Sequence, residues 1–328
     1  MIKWGIAATG NISNQFVQGL KRIKGGEFYA VASRDLSKAE AFAKKYGAKK
    51  AYGSYEAMAA DKDIDIVYIG TPNDSHITLA KLYLNAGKNV LCEKPMGVNA
   101  KQTAEMAKLA KKKSLFLMEG MWTRFFPVTQ KVQAWLAEGK IGTPRFMSAF
   151  FGIESGENWR KSFALSGGSL LDVGIYPLAF TMLVFGNDYA ALKGMSLNNA
   201  EGIDEVNTFI MDYQDRLATI ACGVGQRMHN RVYIEGDKGR IKVDGNWWHP
   251  KRAVLTTGVQ DVVDYAEKKT VFKDNYPSTG FQYEAQHVND CVAKGLTESP
   301  IMPLSDSVAI AQAMDALRKE FGVVYKED

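Results

Sequence analysis

Ile2-Lys3-Trp4-Gly5-Ile6-Ala7-Ala8-Thr9-Gly10-Asn11-Ile12-Ser13 sets the reading of the whole chain. An apolar run, Ile2–Ala7, breaks at Thr9-Gly10. Beyond the break Ile12, Phe16, Leu20 and Ile23 recur at spacings of four, four and three, which is one face of a helix. A glycine turn between a strand and a helix lets backbone approach a pyrophosphate, and the helix N-terminus offers free N–H groups and a positive dipole. The full G-x-G-x-x-G pattern is absent. Its register falls on Ala8, Gly10 and Ser13, so only the central glycine, the one needed for close backbone approach, is kept. By itself this turn reads equally as an ordinary strand-to-helix connection and as a cradle in which Ala8, Gly10, Asn11 and Ile12 hold a dinucleotide.

The same rhythm continues outward. Phe28–Ser33 reads as a second strand, and Ala39, Phe42, Ala43 and Tyr46 mark a helix stopped by Gly47. Ile64–Ile69, a helix from about Ser75 to Ala86, Val90–Cys92, a helix opened by Asn99 with Gln102 three places later, and Leu115–Met118 follow. Apolar strands separated by helices predict a parallel sheet covered on both faces, a doubly wound α/β domain over residues 1–120. After about residue 125 the pattern changes. Helices over Val128–Glu138 and Asp172–Phe185 flank a strand near Arg145–Gly152, and strand signals dominate from Ala191 to Lys273. Ile241 and Val243 alternate with Arg240, Lys242 and Asp244, and Gly236-Asp237-Lys238-Gly239 is a turn. Two helices, Gln282–Lys294 and Ser305–Phe321, follow. Residues 121–328 are therefore expected to form an α+β domain with a mainly antiparallel, open-faced sheet.

A length of 328 residues suits two domains, and 46% hydrophobic with 23% charged residues is the composition of a cored globular protein. The net charge of +5 is modest and the 41 basic residues are dispersed, which argues against a nucleic-acid partner but tolerates an anionic ligand. No apolar stretch suits a bilayer span, and the first residues do not read as a signal peptide. Cys92, Cys222 and Cys291 lack metal-site spacing and fit buried thiols in a reducing compartment, so the expected location is the cytoplasm. His76, His229, His249 and His287 form no metal-ligand pattern, and no catalytic metal is expected.

The end of the second strand speaks to the cofactor. NAD-preferring sites place an acidic residue there for the ribose 2′-hydroxyl, whereas an Arg accommodates a 2′-phosphate. Ser33-Arg34 favours NADP(H), since a guanidinium suits paired hydrogen bonds with phosphate oxygens. Asp35, one place late, weakens that preference and keeps NAD(H) open, and a charge just past a strand is also commonly only solvated.

Leu91-Cys92-Glu93-Lys94-Pro95 follows the fifth apolar run, and in this setting it resembles the glucose–fructose oxidoreductase / inositol dehydrogenase / MocA-type family (Gfo/Idh/MocA), whose hallmark is Glu-Lys-Pro at that place. Thr71-Pro72-Asn73-Asp74-Ser75-His76 is similar to the family's loop after the fourth strand, and Ser166 to Tyr176 to its glycine-led helix. Ala51 to Glu56, Leu115 to Glu119, Trp122 to Pro127, Glu298-Ser299-Pro300 and Pro303-Leu304-Ser305 most resemble the dihydrodiol dehydrogenase branch. Many members carry histidine four residues after the position of Asp172; here it is Tyr176, as in that branch.

The resemblance implies a hydride-transferring oxidoreductase for a diol, sugar or other polyol. It implies Thr71, Pro72, Asn73, His76, Glu93 and Lys94 around the nicotinamide end, and a homodimer formed through the second-domain sheet. Oxidising a carbinol needs a base for its proton. An unperturbed tyrosine, with a pKa of about 10, is a poor base until a nearby ammonium stabilises the phenolate. Tyr176 is thus the candidate acid/base and Lys94 its electrostatic partner, and the resemblance implies that Asp172, one helical turn before Tyr176, holds a substrate hydroxyl or orients the pair. Arg124, Trp122, Trp159 and Arg160 are candidate pocket residues. Two other readings share these features: an inositol or keto-sugar dehydrogenase, and a non-catalytic dinucleotide sensor of the same fold. Retention of Lys94, Asp172 and Tyr176 together counts against the sensor.

Overall fold

The computed structural model describes residues 1–154, 166–260 and 265–328, and these form two compact units. Unit one contains Met1–Trp122, Pro277–Ala311 and Glu327; unit two contains Thr123–Tyr276, Gln312–Lys326 and Asp328.

Unit one is a six-stranded parallel sheet in the order β3-β2-β1-β4-β5-β6. Its strands are β1 (Ile2–Ala7), β2 (Gly26–Ala32), β3 (Lys50–Tyr52), β4 (Ile66–Ile69), β5 (Asn89–Glu93) and β6 (Leu117–Gly120). Helices α1 (Asn11–Leu20), α2 (Leu36–Tyr46), α3 (Tyr55–Ala59), α4 (His76–Asn85) and α5 (Ala100–Lys113) alternate with them. This is the doubly wound order, in which the direction of winding reverses between β1 and β4 and opens a crevice at their carboxyl ends. Asn99 caps α5 as expected, accepting from Gln102 N at 2.9 Å, while Gln102 reaches back to Val98 N at 3.1 Å. Gly47 ends α2 in the left-handed region at φ 84°. Strand β3 and helix α3 escaped the sequence reading, because three and five residues are too short to display a period.

The segment Pro277–Ala311 differs from the expected division, which assigned everything after residue 120 to the second domain. Its helix α8 (Phe281–Ala293) packs on α1 and β1. The Trp4 indole N–H donates to Asn289 Oδ1 at 3.2 Å. An added Cβ at Gly19 would lie 2.7 Å from Gln282 N, so the two helices meet backbone to backbone. The physical reason is an unfinished surface: Trp4, Phe16 and Gly19 present an apolar face that α8 covers, with Phe16 against Phe281 at 5.8 Å.

Unit two holds an eight-stranded sheet in the order β14-β13-β12-β11-β7-β10-β9-β8. Its strands are β7 (Pro144–Ile153), β8 (Ala191–Asn198), β9 (Asp204–Asp212), β10 (Leu217–Val224), β11 (Val232–Gly236), β12 (Gly239–Val243), β13 (Arg252–Gln260) and β14 (Tyr265–Lys273). Every pairing is antiparallel except β7 with β10. Period-two alternation sends Met147, Ala149 and Phe151 and their neighbours Ala218, Ile220 and Cys222 to a buried face. That face packs against α7 (Ile175–Phe185), while α6 (Pro127–Ala137) lies against β13 and β14. The opposite face exposes Phe146, Met195, Leu197, Ile210, Leu217 and Val271. The last helix, α9 (Leu304–Phe321), belongs to unit one through Ala311 and to unit two from Gln312.

Candidate active site

Three helices of unit one are capped by side chains: α2 by Asp35, α3 by Ser54 and α5 by Asn99. The first helix is not, for its N-cap is Gly10, which offers no side chain to the first-turn N–H groups. A Cβ at Gly10 would meet no protein atom within 4 Å, so the space a phosphate needs lies directly over this glycine. Asn14 steadies the turn, donating to Gly10 O at 2.8 Å and accepting from the Tyr46 hydroxyl at 2.7 Å.

The structure also accounts for the missing glycines. Ala8, at the place of the first, has φ 92°, so the tight turn is made in the left-handed region by alanine. Ser13, at the place of the third, cannot give the close helix–strand packing that glycine gives. Gly70, just after β4, supplies it instead: a Cβ there would stand 2.8 Å from Ser13 Oγ and 3.1 Å from Ile12 Cγ2. Ser13 Oγ is buried without a hydrogen-bond partner among the described residues. The cradle therefore fits a dinucleotide, with the three glycine tasks divided between Ala8, Gly10 and Gly70.

At the end of β2, Ser33 is buried and its hydroxyl accepts from Asp35 N at 3.2 Å, while Arg34 is exposed. Asp35 is engaged in capping α2, accepting from Ser37 Oγ at 2.7 Å and Ser37 N at 3.0 Å. These hydrogen bonds, led by the Ser37 hydroxyl, hold its carboxyl below the usual range. The acidic side chain that weakened the NADP reading is thus already committed to the helix.

At the far side of the crevice the loop after β4, Gly70–Asn73, meets the turn after β5. His76 joins them: its Nδ1 lies 2.9 Å from Pro95 O and its Nε2 2.9 Å from Thr71 O. The ring is fully buried, and burial holds its pKa below the ordinary value against the pull of both carbonyls. His76, expected from the resemblance as a cofactor contact, bridges the two loops through these two bonds. The Lys94-Pro95 peptide is cis, and Lys94 is half-buried. Glu93 is buried and accepts the Tyr68 hydroxyl at 2.6 Å; burial pushes its carboxyl up, while the Tyr68 bond and Lys94 oppose this. The sequence reading missed Glu284 of α8, whose pattern looks like any amphipathic helix. It is fully buried and neither carboxyl oxygen has a hydrogen-bond partner among the described residues. Burial first and the Glu93 charge second push its carboxyl well above the usual carboxylate range.

In unit two the expected helix over Asp172–Phe185 begins earlier, as a π turn, Leu170–Gly174, that runs into α7. The α-helical spacing that set Asp172 and Tyr176 on one face thus crosses a π-to-α junction, a feature frequent at functional sites. Asp172 and Tyr176 are both largely buried. Gly174 lets the turn close on β10, since a Cβ there would be 2.7 Å from Cys222 Sγ. Tyr176 lies beside Phe151, ring centroids 5.6 Å apart, and Phe151 stacks on Trp248 at 3.8 Å. Trp247 is 5.5 Å from Phe180. This aromatic wall was not legible in sequence, because β7 and the Trp247-Trp248 loop are brought together only by the sheet.

Trp122 and Arg124 share a short 3-10 turn. Trp122 belongs to unit one and stacks on Phe281 at 4.4 Å. Arg124 belongs to unit two and is buried; next to it the Thr123 hydroxyl donates to Trp248 O at 2.6 Å. Trp159 and Arg160 lie outside the described residues.

Asp204 anchors the start of the π turn, accepting from Leu170 N and from Asn207 Nδ2, each at 2.6 Å. It is 1% exposed, and burial pushes its carboxyl up to about 6 against those hydrogen bonds. A pKa raised by folding gives stability that is complete below the unfolded value and is lost as pH rises through about 6. Moving from pH 5 to 7.5 is expected to improve Asp204→Asn relative to the parent by about 1.4 kcal/mol, read from urea denaturation. A pH-independent difference between the two proteins would refute this.

Among the described residues no group of three or more His, Cys, Asp or Glu is placed to hold a metal, and no helix is long and apolar enough to cross a membrane. The three cysteines are free and buried.

A parallel sheet with this winding order and an uncapped glycine turn after β1 defines unit one as an NAD(P)-binding Rossmann domain. Residues 2–121 match a family model described as an oxidoreductase family with an NAD-binding Rossmann fold, and residues 129–242 match the GFO/IDH/MocA C-terminal domain. The chain belongs to the Gfo/Idh/MocA family, and it is an NAD(P)-dependent oxidoreductase. Among its relatives, the trans-1,2-dihydrobenzene-1,2-diol dehydrogenase of Bos taurus is 38% identical over 333 residues, covering 100% of this chain and 99% of that protein. Proteins of the same name from Homo sapiens and Xenopus laevis are 37% and 39% identical, each over 99% of their own length and over 100% and 98% of this chain. Among solved structures, a 3-ketoreductase from Actinomadura kijaniata in complex with NADP and TDP-benzene superimposes with a TM-score of 0.86 at 25% identity, covering 97% of both chains. An aldose–aldose oxidoreductase from Caulobacter crescentus complexed with glycerol shares the fold, with a TM-score of 0.86 at 21% identity, covering 98% of this chain and 97% of its own.

Proposed function

We propose that this oxidoreductase acts on a ring-bearing diol or closely related polyol, using NADP(H) in preference to NAD(H). The observation that carries the substrate class is the half-buried Trp248, stacked on the buried Phe151 beside Tyr176, an apolar ring suited to one face of a cyclic substrate. Full-length likeness to proteins named for a dihydrobenzenediol supports the same class. When bound, the nicotinamide supplies the hydride acceptor or donor. The chain's residues then do three things. Gly10 and the open N-terminus of α1 receive the pyrophosphate, Asp172 orients a substrate hydroxyl, and Tyr176 takes the carbinol proton as base, or returns it as acid, with the Lys94 ammonium favouring the phenolate.

The preference for NADP(H) rests on the exposed Arg34 next to the Ser33 hydroxyl, with Asp35 occupied as a helix cap. Losing a hydrogen-bonded charge pair weakens binding by about 10- to 100-fold. Arg34→Ala is therefore expected to raise the Kd for NADPH by that order and to leave NADH nearly unchanged, in a titration following nicotinamide fluorescence. Equal losses for both cofactors, or none, would remove Arg34 from the site. The substrate class is tested by turnover across cyclic diols, inositols and aldoses; preference for open-chain sugars would overturn it, and binding without turnover on any of them would favour a sensor. The exposed apolar face of the second sheet, with Leu217 beside Phe146 and Thr208 beside Met195, supports a homodimer through that face, which light scattering checks.

A further inference from the structure

Tyr325 follows α9 and is buried at 3% exposure in unit two. Its hydroxyl donates to the carbonyl oxygen of Gly167. The next residue, Gly168, has φ 120°, and a Cβ on it would stand 2.4 Å from Asp204 Oδ1 and 2.9 Å from the Tyr325 hydroxyl oxygen. Tyr325 and Asp204 thus fill the place where a side chain at 168 would be. The turn they hold is the origin of the π turn: Gly168 O accepts Asp172 N at 3.1 Å, and Asp204 accepts Leu170 N.

Tyr325 is itself fastened on its other side. Its backbone N–H donates to Asp328 Oδ2 at 2.9 Å. Arg318, 4% exposed, grips the same carboxylate with both terminal nitrogens, at 2.7 and 2.9 Å, and also binds Asp315 at 2.7 Å. The Arg318 guanidinium stands 5.0 Å from the centre of the Tyr325 ring. Any buried tyrosine hydroxyl needs a hydrogen-bond partner; what is particular here is that the partner is the carbonyl leading into the turn, and that the tyrosine is held from its other side by an ion pair.

We propose that Tyr325 is a positioning residue, whose hydroxyl, braced by Arg318 and Asp328, fixes the Gly167-Gly168 turn and thereby the placement of Asp172 and Tyr176. The proposal rests on the reading of Asp172 and Tyr176 as the reacting groups. Tyr325→Phe keeps the ring and deletes only the hydroxyl. One hydrogen bond of ordinary strength corresponds to about a five- to tenfold effect. Tyr325→Phe is expected to lower kcat by that order, to leave the NADPH Kd and substrate KM within about twofold, and to speed amide hydrogen exchange over Gly168–Gly174 by a similar factor. Asp328→Asn, which loosens the brace from a more exposed position, should move both readouts the same way by less, and serves if the first variant folds poorly. Unchanged exchange with unchanged kcat would overturn the proposal. So would a drop in melting temperature with normal kcat per folded molecule, the mark of a core filler. Tyr176→Phe is assayed alongside: full activity there would refute the acid/base reading, and the exchange data would still decide the turn.

Discussion

Tyr176→Phe and Lys94→Met are each expected to lower kcat by about 10²- to 10⁴-fold, the range seen when a positioned proton-transfer group is removed. Phenylalanine keeps the ring against Phe151 and deletes the atom proposed to carry the proton. NADPH affinity should therefore hold within a few-fold, and a pH–rate limb due to the phenol should vanish with the hydroxyl. If Lys94 is the cation proposed to favour the phenolate, the activity remaining in Lys94→Met should rise towards alkaline pH. The double variant should be scarcely worse than the poorer single one, because groups that act as a unit are non-additive. Near-normal turnover in either single variant would take that residue out of the chemistry.

The second large effect is expected at Gly70. An alanine methyl there has to displace Ser13 Oγ and Tyr68 Cε1, each 2.8 Å away, and Ile12 Cγ2 at 3.1 Å. Tyr68 has little freedom, since it is stacked on Phe16 at 3.7 Å and bound to Glu93. The first turn of α1 is therefore the part that moves. Overpacking of this kind costs about 1–3 kcal/mol. Because the displaced turn is the one proposed to meet the pyrophosphate, Gly70→Ala should also weaken NADPH binding by about tenfold or more. Adding Ser13→Gly should restore part of both losses. Gly70→Ala with parental stability and affinity would show that α1 does not depend on this contact.

These two sites also show what a sequence discloses. The alternation of strands and helices was plain because each apolar run and each helical face is periodic over a short window. The Glu-Lys-Pro turn and the roles expected of Asp172 and Tyr176 come from resemblance, which preserves local strings, whereas their helix is read from the pattern itself. Gly70 could not be linked to Ser13, because a packing duty had passed between residues 57 positions apart, from the helix to the loop after β4. Nothing local marks such an exchange. Glu284 stayed hidden for a related reason: a glutamate in an amphipathic helix looks solvated until a second layer is found over it. The aromatic wall and the Tyr325 contact are products of sheet pairing and chain return, which have no short-range signature.

The late arrival of α8 bears on how the chain becomes a protein during synthesis. The sheet of unit one can be translated in full by Gly120, yet the partner for Trp4 lies at Asn289. Until that stretch leaves the ribosome, the surface formed by Trp4, Phe16 and Gly19 has no cover. At about 5–20 residues per second, the interval between the two is roughly 10 to 30 seconds. Nascent chains stalled between residues 122 and 277 should therefore recruit chaperones through the β1–α1 surface and be cut readily there by protease. Release past residue 293 should end both together.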